Sequence, residues 1–245
     1  MALEKVRVAA LADIHVNKTT AGAFQPLFAQ VASSADIFLL AGDLTDYGLP
    51  EEAHALAREL RTTVKIPIIA VLGNHDFESG KQQEVTAILT DAGIRVLDGD
   101  ACEVHGIGIA GIKGFVGGFG PRMLSPWGEP TIKNLVHEAI EEALKLESAL
   151  ARLRTKQRLA LLHYAPIEAT VVGEPPEIFP FLGCSRLEEP LNRYPVTAVF
   201  HGHAHRGHPE GKTNTGVPVY NVAHALMRQA SAERPFRLEE IAITP

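Results

Sequence analysis

The stretch Gly73-Asn74-His75-Asp76 directly follows the apolar run Ile68-Ile69-Ala70-Val71-Leu72, so a strand suited to burial stops where an amide, an imidazole and a carboxylate emerge together. An α/β fold keeps its chemistry at this end of its strands. The pattern recurs: Asp13-Ile14-His15, Gly42-Asp43-Leu44-Thr45-Asp46, Leu162-His163 and Gly202-His203-Ala204-His205 each close an apolar run of their own. Together they read as one site assembled from five strand ends.

Asp13, His15, Asp43, Asn74, His163, His203 and His205 offer carboxylate, amide and imidazole donors with no thiolate among them. That donor set suits Mn²⁺, Fe²⁺/Fe³⁺, Zn²⁺ or Co²⁺ and differs from the cysteine-rich sites of structural zinc. It is too large for one tetrahedral ion and about right for two ions that share a carboxylate and keep positions open. Two ions side by side can hold a phosphoryl group and acidify a water between them, which is hydrolysis chemistry. A shared ligand must present two oxygens from a short, rigid side chain, and Asp43, in a tight turn after Gly42, meets that need.

The order D-x-H, G-D-x-x-D, G-N-H-D, an isolated His and G-H-x-H is intact from Asp13 to His205, and in this the chain resembles the calcineurin-like metallophosphoesterases. The resemblance implies an α/β sandwich of two mixed sheets flanked by helices, with a binuclear metal site at the strand ends. It implies one ion held by Asp13, His15, Asp43 and His205, and a second held by Asp43, Asn74, His163 and His203. His75 in this pattern is not a ligand but lies above the metals, where an imidazolium steadies phosphoryl charge or hands a proton to the leaving oxygen. Asp46 matches the carboxylate that raises the pKa of that histidine.

Within the family, the first ninety residues are most similar to small bacterial members that include cyclic nucleotide phosphodiesterases, in which Gly-Asp-Leu-Thr-Asp is followed by Gly and an acidic helix start. Here the continuation is Tyr47-Gly48-Leu49-Pro50-Glu51-Glu52. Protein Ser/Thr phosphatases carry an arginine after the second aspartate, suited to a phosphate dianion. Tyr47 at that position favours a less charged diester. Tyr164-Ala165-Pro166 after His163 departs from the family's usual small residues. The resemblance thus implies a phosphodiesterase acting on a small molecule such as a cyclic nucleotide. Alternatives of the same fold are a phosphomonoesterase, a nuclease and a catalytically silent metal-binding scaffold.

Taken singly, several of these residues have simpler readings. Asp13 and Asp46 also suit helix N-caps, Gly73-Asn74 is a common turn dipeptide, and His163 in Leu161-Leu162-His163-Tyr164 reads as a core histidine. His201, His203 and His205 alternate on one face of an extended segment. The Gly-His-x-His spacing selects the later pair and leaves His201 as the buried end of its strand. His208 and His224 are expected on the surface or rim.

A chain of 245 residues with 46% hydrophobic content can bury one large core, so a single domain over residues 1–245 is expected. No apolar run is long enough for a membrane helix, and Glu4, Lys5 and Arg7 lead directly into the first strand and its motif. A cleaved signal peptide would remove Asp13, so a cytoplasmic location is expected. Two distant cysteines, Cys102 and Cys184, fit a reducing compartment. A net charge of −6 provides no long-range attraction to nucleic acid. The basic cluster Arg152, Arg154, Lys156 and Arg158 reads as the end of a long helix, where positive charge complements the macrodipole. Expected partners are therefore a small phosphoester and two metal ions, with neither nucleic acid nor membrane.

Periodicity predicts strand 5–12, helix 21–33, strand 36–42, helix 50–62, strand 67–73, helix 80–92 and strand 94–98, a parallel βαβ series. A hairpin between 101 and 112 opens a second sheet, and strands near 158–163, 196–201, 217–222 and 236–243 complete it. Ile132 to Leu153 carries Leu135, Ala139, Ala143, Leu146 and Leu150 at helical spacing. Two Gly- and Pro-rich stretches, 111–130 and 165–183, break the pattern and are expected to shape the pocket.

Overall fold

Residues 5–20 and 22–243 are described by a computed structural model. Residues 1–4, which include Glu4 at the predicted approach to the first strand, residue 21, where the first helix was expected to begin, and residues 244–245 lie outside the described residues. The chain alternates through β1 (Lys5–Leu11), α1 (Gln25–Ser34), β2 (Ile37–Ala41), α2 (Pro50–Thr63), β3 (Ile68–Val71), α3 (Gln82–Asp91) and β4 (Arg95–Val96). The hairpin β5 (Asp100–Val104) and β6 (Ile107–Gly111) then leads to α4 (Pro130–Arg152) and β7 (Gln157–Leu161). Two short helices, α5 (Phe179–Leu182) and α6 (Glu188–Arg193), precede β8 (Ala198–His201), β9 (Glu210–Lys212), β10 (Pro218–Asn221), α7 (His224–Ala230) and β11 (Arg237–Ala242).

Local chemistry sets several boundaries. Pro50 opens α2, and the Glu52 carboxylate accepts the N–H groups of Tyr47 (2.9 Å) and Leu49 (3.2 Å) just before it. His105 (φ 50°) and Gly106 (φ 79°) both turn left-handed between β5 and β6, the conformation a two-residue hairpin loop demands. At the basic cluster, α4 ends at Arg152, and the Arg154 guanidinium returns to the Ala151 carbonyl at 3.0 Å, so both complement the helix end. Arg158 departs from the expectation: it lies in β7, and its side chain bonds the Thr155 carbonyl.

The first sheet runs β11-β1-β2-β3-β4 and the second β5-β6-β7-β8-β10-β9. β1 to β4 are parallel, as are β6, β7, β8 and β10, while β11, β5 and β9 pair antiparallel at the edges. One expectation is corrected here. The strand predicted at 236–243 pairs with β1 of the first sheet, Val6 opposite Ile241, and does not complete the second. It closes the edge that β1 would otherwise expose, which protects that row of backbone groups.

Successive side chains of a strand face opposite ways, so each sheet is apolar on both sides. Val8, Leu39, Ile69 and Val71 meet Ile107, Ile109, Leu161 and Phe200 between the sheets. The outer face of the first sheet carries Phe38, Leu40 and Ala70 against Phe28, Leu56, Leu60 and Leu89 of its helices. On the far side, Ala110, Ala160 and Val199 pack under Leu146, Ala149 and Leu150 of α4. The result is a sandwich of two mixed sheets with helices on both outer faces. No helix among the described residues is long and apolar enough to cross a membrane.

The irregular stretches 111–130 and 165–183 bind each other: Gly117 N–H donates to the Pro180 carbonyl and Gly118 N–H to that of Gly183, both at 2.8 Å. Trp127 and Phe181 from these stretches are left exposed.

Candidate metal centre

The strand ends turn by unusual backbone. Asp13 (φ 56°), His15 (φ 44°), Asp43 (φ 48°) and His203 (φ 70°) adopt the left-handed conformation that side chains disfavour, outside any tight hairpin. Such strain gathers where surrounding structure imposes it, commonly at functional sites. Glycines beside these residues permit the close approach. A Cβ at Gly73 would lie 2.1 Å from Asp43 Oδ1, one at Gly42 would lie 2.4 Å from the His163 ring, and one at Gly202 would lie 2.5 Å from Asp13 Oδ2.

Three groups of donor atoms close enough to hold an ion result: Asp13, His15 and His205; His15, Asp43 and His75; Asp43, His163 and His203. His205 Nε2 lies 3.1 Å from Asp13 Oδ1, and the two Asp13 oxygens accept the His203 N–H. Asp43 faces both ways, with Oδ2 3.8 Å from His15 Nε2 and Oδ1 3.4 Å from His163 Nε2. Asn74 Oδ1 is 3.0 Å from that same His163 nitrogen. All seven predicted ligands therefore meet at one end of the sandwich.

The residues fit a cation. The Ala41 carbonyl accepts from His163 Nδ1 at 2.9 Å, and the Phe181 carbonyl from His203 Nε2 at 3.1 Å. Each ring is thereby fixed with its other nitrogen bare, as a metal-binding imidazole requires. With Nδ1 as the donor, His163 Nε2 presents its lone pair toward the oxygens of Asn74 and Asp43. Both ring nitrogens of His15 are buried without a hydrogen-bond partner. Burial, reinforced by the carboxylates of Asp13, Asp76 and Asp46, raises the pKa of Asp43. Burial would also raise Asp13, but the His205 hydrogen bond and the nearby His163 and His203 hold it low. Burial lowers His15, His163 and His203, keeping the imidazoles neutral and able to bind metal.

His75 stands at the open side, with 41% of its side chain exposed. Its Nδ1 lies 2.7 Å from the backbone carbonyl of Asp46, nearer than the Asp46 carboxylate at 3.9 Å. That carboxylate accepts from Asn17 Nδ2 at 3.1 Å and lies 3.5 Å from His15 Nδ1. Neither Asp13 nor Asp46 caps a helix, since α1 starts only at Gln25 and the residue before α2 is Leu49.

Asp76 is not among the predicted ligands or catalytic residues. It is fully buried, and its carboxylate accepts the N–H groups of Leu44 (3.2 Å), Thr45 (2.8 Å) and Gly73 (2.8 Å) and the Thr45 hydroxyl (2.6 Å). It fastens the loop carrying Asp43 to the loop carrying Asn74 and His75. The signal in the sequence was its place as last residue of Gly-Asn-His-Asp. Asp76→Ala is expected to cost about 3 kcal/mol or more, because buried donors are left unpaired at about 1–3 kcal/mol each. Urea denaturation of the metal-free protein checks this, and a loss below about 1 kcal/mol contradicts it.

His201 lies outside the three groups. It is buried, with Nδ1 bonded to the Gly202 carbonyl and Nε2 to the Thr170 hydroxyl, each at 2.8 Å. Burial pushes its pKa down to about 4, the Gly202 carbonyl opposing. The folded ring is neutral, whereas the unfolded chain takes up a proton below about 6.5. Its contribution to stability is therefore complete above that value and lost as pH falls from there to about 4. Between about pH 7 and pH 4 the metal-free His201→Gln variant should lose about 3 kcal/mol less stability than the parent in urea titrations. Equal losses would contradict the assignment. His208 is exposed, and half-buried His224 packs on the Phe24 ring at 5.6 Å, so neither joins the donor groups.

The family model for calcineurin-like phosphoesterase matches residues 6–207. No curated protein matches the chain in sequence. Similar solved structures include a phosphopantetheinyl hydrolase from Mycobacterium tuberculosis, with TM-score 0.70, 16% identity and 96% of each chain covered. The protein TT1561 of Thermus thermophilus aligns with TM-score 0.58 and 13% identity over 98% of this chain and 99% of that one. A purple acid phosphatase from yellow lupin (Lupinus luteus) seeds aligns with TM-score 0.53 and 13% identity over 89% of this chain and 44% of its own. At such identities the likeness is one of fold, whereas the family match runs across every one of the gathered donors. The chain accordingly belongs to the calcineurin-like phosphoesterases and is a metal-dependent phosphoester hydrolase.

Proposed function

We propose that the chain is a phosphodiesterase acting on a small molecule, a cyclic nucleotide being the leading class. Asp13, His15, Asp43 and His205 would hold one metal ion, and Asp43, Asn74, His163 and His203 the other. The observation that carries this reading is the convergence of bare histidine nitrogens on Asp43 from both sides. The imidazole, carboxylate and amide donors suit Mn²⁺, Fe²⁺/Fe³⁺ or Zn²⁺. Such ions supply Lewis acidity to the phosphoryl oxygens and an acidified water.

The chain's own groups do the rest. Asp76 and the close-packed glycines hold the ligand loops rigid. His75, tethered through Nδ1 to the Asp46 carbonyl, presents Nε2 from the open side, where its proton can stabilise phosphoryl charge or pass to the leaving oxygen. Asp46, beside both His15 and His75, is a positioning residue for them.

Two observations support a diester. Tyr47, 57% exposed, occupies the position after Asp46, and no lysine or arginine bonds any of the predicted ligands among the described residues. An arginine at position 47 would grip a dianionic monoester, and tyrosine does not. A second reading is a phosphopantetheinyl diester, supported by the full-length likeness to a phosphopantetheinyl hydrolase. The core shared by the two sheets supports a single domain over residues 1–245. The cysteines, both buried and unpaired, support a reducing cytoplasmic location.

The test is turnover of Mn²⁺-loaded protein on bis(p-nitrophenyl) phosphate and p-nitrophenyl phosphate side by side. Faster cleavage of the diester is expected. Cleavage of the monoester alone would overturn the diesterase reading, and cleavage of neither would favour a silent scaffold. Strongly salt-dependent cleavage of a DNA or RNA strand would favour a nuclease.

A further inference from the structure

A cleft of about 460 Å³ opens between α3, the end of β4 and the start of the 111–130 stretch, and none of the predicted metal ligands lines it. Its size is that of a small-molecule site. Its lining is joined to the centre through neighbouring residues. Leu72 and Phe77, which line it, bracket Asn74 and His75 in sequence. The backbone carbonyl of Lys113, another lining residue, accepts the N–H groups of His163 (3.0 Å) and Tyr164 (3.1 Å). The Tyr164 ring in turn lies 4.6 Å from that of His203.

Two polar groups in this cleft are incomplete. The Lys113 ammonium lies over the rings of Phe115 (4.7 Å), Tyr164 (5.3 Å) and Phe77 (5.4 Å). Among the described residues its polar partner is the Gly114 carbonyl at 2.8 Å, which uses one of its protons, and no carboxylate pairs with it. Asp98 and Asp100 on the cleft wall already pair with Lys145 (3.1 Å) and Arg152 (3.5 Å). Gln82, at the start of α3, lines the same space, and its Oε1 is buried with no partner. An unmet buried acceptor and an under-used ammonium each cost free energy unless a ligand completes them.

We propose that this cleft is the specificity site of the hydrolase, seating an uncharged ester arm with an amide-like edge. That edge brings an acceptor to Lys113 Nζ and a donor to Gln82 Oε1, whose amide turns from its buried position to meet it, while its apolar face lies on the Phe77 ring. A nucleobase and the amides of a pantetheine arm both have this chemistry. The inference rests on the phosphodiesterase reading, and its test separates the two.

Lys113→Met and Gln82→Leu would be assayed with Mn²⁺ on bis(p-nitrophenyl) phosphate, 3′,5′-cyclic AMP and a phosphopantetheinyl diester. Relative to the nitrophenyl diester, kcat/KM on the matching substrate should fall about tenfold in each variant, through KM. The substrate that shows the loss distinguishes base from pantetheine amide. Adenosine and pantetheine, titrated onto the same proteins, report on the cleft without turnover, and the matching arm should bind about tenfold more weakly to both variants. Arm binding weakened by both substitutions, with no diester cleaved by the parent, keeps the cleft and rejects the diesterase. Parent protein that binds neither arm, or variants with unaltered selectivity and arm affinity, would overturn the cleft assignment.

Discussion

Asp43→Asn is expected to strip the protein of both metal ions and to lower turnover by more than about 100-fold, since even residues that only orient metal ligands cost about 10–100-fold when replaced. The two oxygens of Asp43 serve different sides: Oδ2 faces His15, and Oδ1 faces His163 while accepting the His75 N–H at 2.9 Å. An amide has the same shape but only one oxygen and no charge, so neither ion keeps its shared anion. The fold itself should not suffer. Burial and the neighbouring Asp13 already raise the Asp43 pKa, so the carboxylate strains the metal-free protein, and a neutral isostere relieves that strain. Metal analysis should show well under two ions per chain, with a metal-free melting temperature equal to or above that of the parent. Two retained ions, or a collapsed melting temperature, would contradict the role given to Asp43.

His75→Ala should do the opposite, keeping the metals and losing turnover by about 10²- to 10⁴-fold, the usual worth of a positioned acid or base. The prediction is a sharp one because the His75 ring is 4.5 Å from that of His15 and belongs to one of the groups close enough to hold an ion. What separates His75 from the ligands is its exposure and its tether: Nδ1 is committed to the Asp46 carbonyl, and the ring is on the open side. If the ring protonates the leaving oxygen, the loss should be larger on a diester with an alkyl leaving group than on a nitrophenyl ester, whose oxygen leaves readily without a proton. Loss of one ion in the variant would make His75 a ligand. An equal deficit on both esters would confine it to stabilising phosphoryl charge.

The gathered donors were legible because each cluster of them follows its own buried strand, and both parts of that signal are local: an apolar run and the polar residues that end it. Apolar β1, β2 and β3 could be read in the same way, as could α2 with its Pro50 and Glu52 start. What the sequence did not disclose were partnerships across the chain. Arg237–Ala242 reads as a strand, but nothing in it says which edge it pairs with, and it joined β1 in the first sheet. Asp76 reads only as the carboxylate that ends Gly-Asn-His-Asp until the loops of Leu44 and Gly73 bring their N–H groups to it. Lys113 is an ordinary lysine in a glycine-rich stretch until folding surrounds it with Phe77, Phe115 and Tyr164.

By itself, then, the sequence determined the α/β alternation, the family and the donors, because burial periodicity and strand-end chemistry are written over a few consecutive residues. Only the tertiary structure decided the left-handed turns at Asp13, His15, Asp43 and His203, the bare nitrogens fixed by the Ala41 and Phe181 carbonyls, and the cleft beside Lys113. Each of these depends on groups tens to hundreds of residues apart meeting within a few ångströms, and that proximity comes from packing two sheets face to face, which no local stretch of sequence encodes.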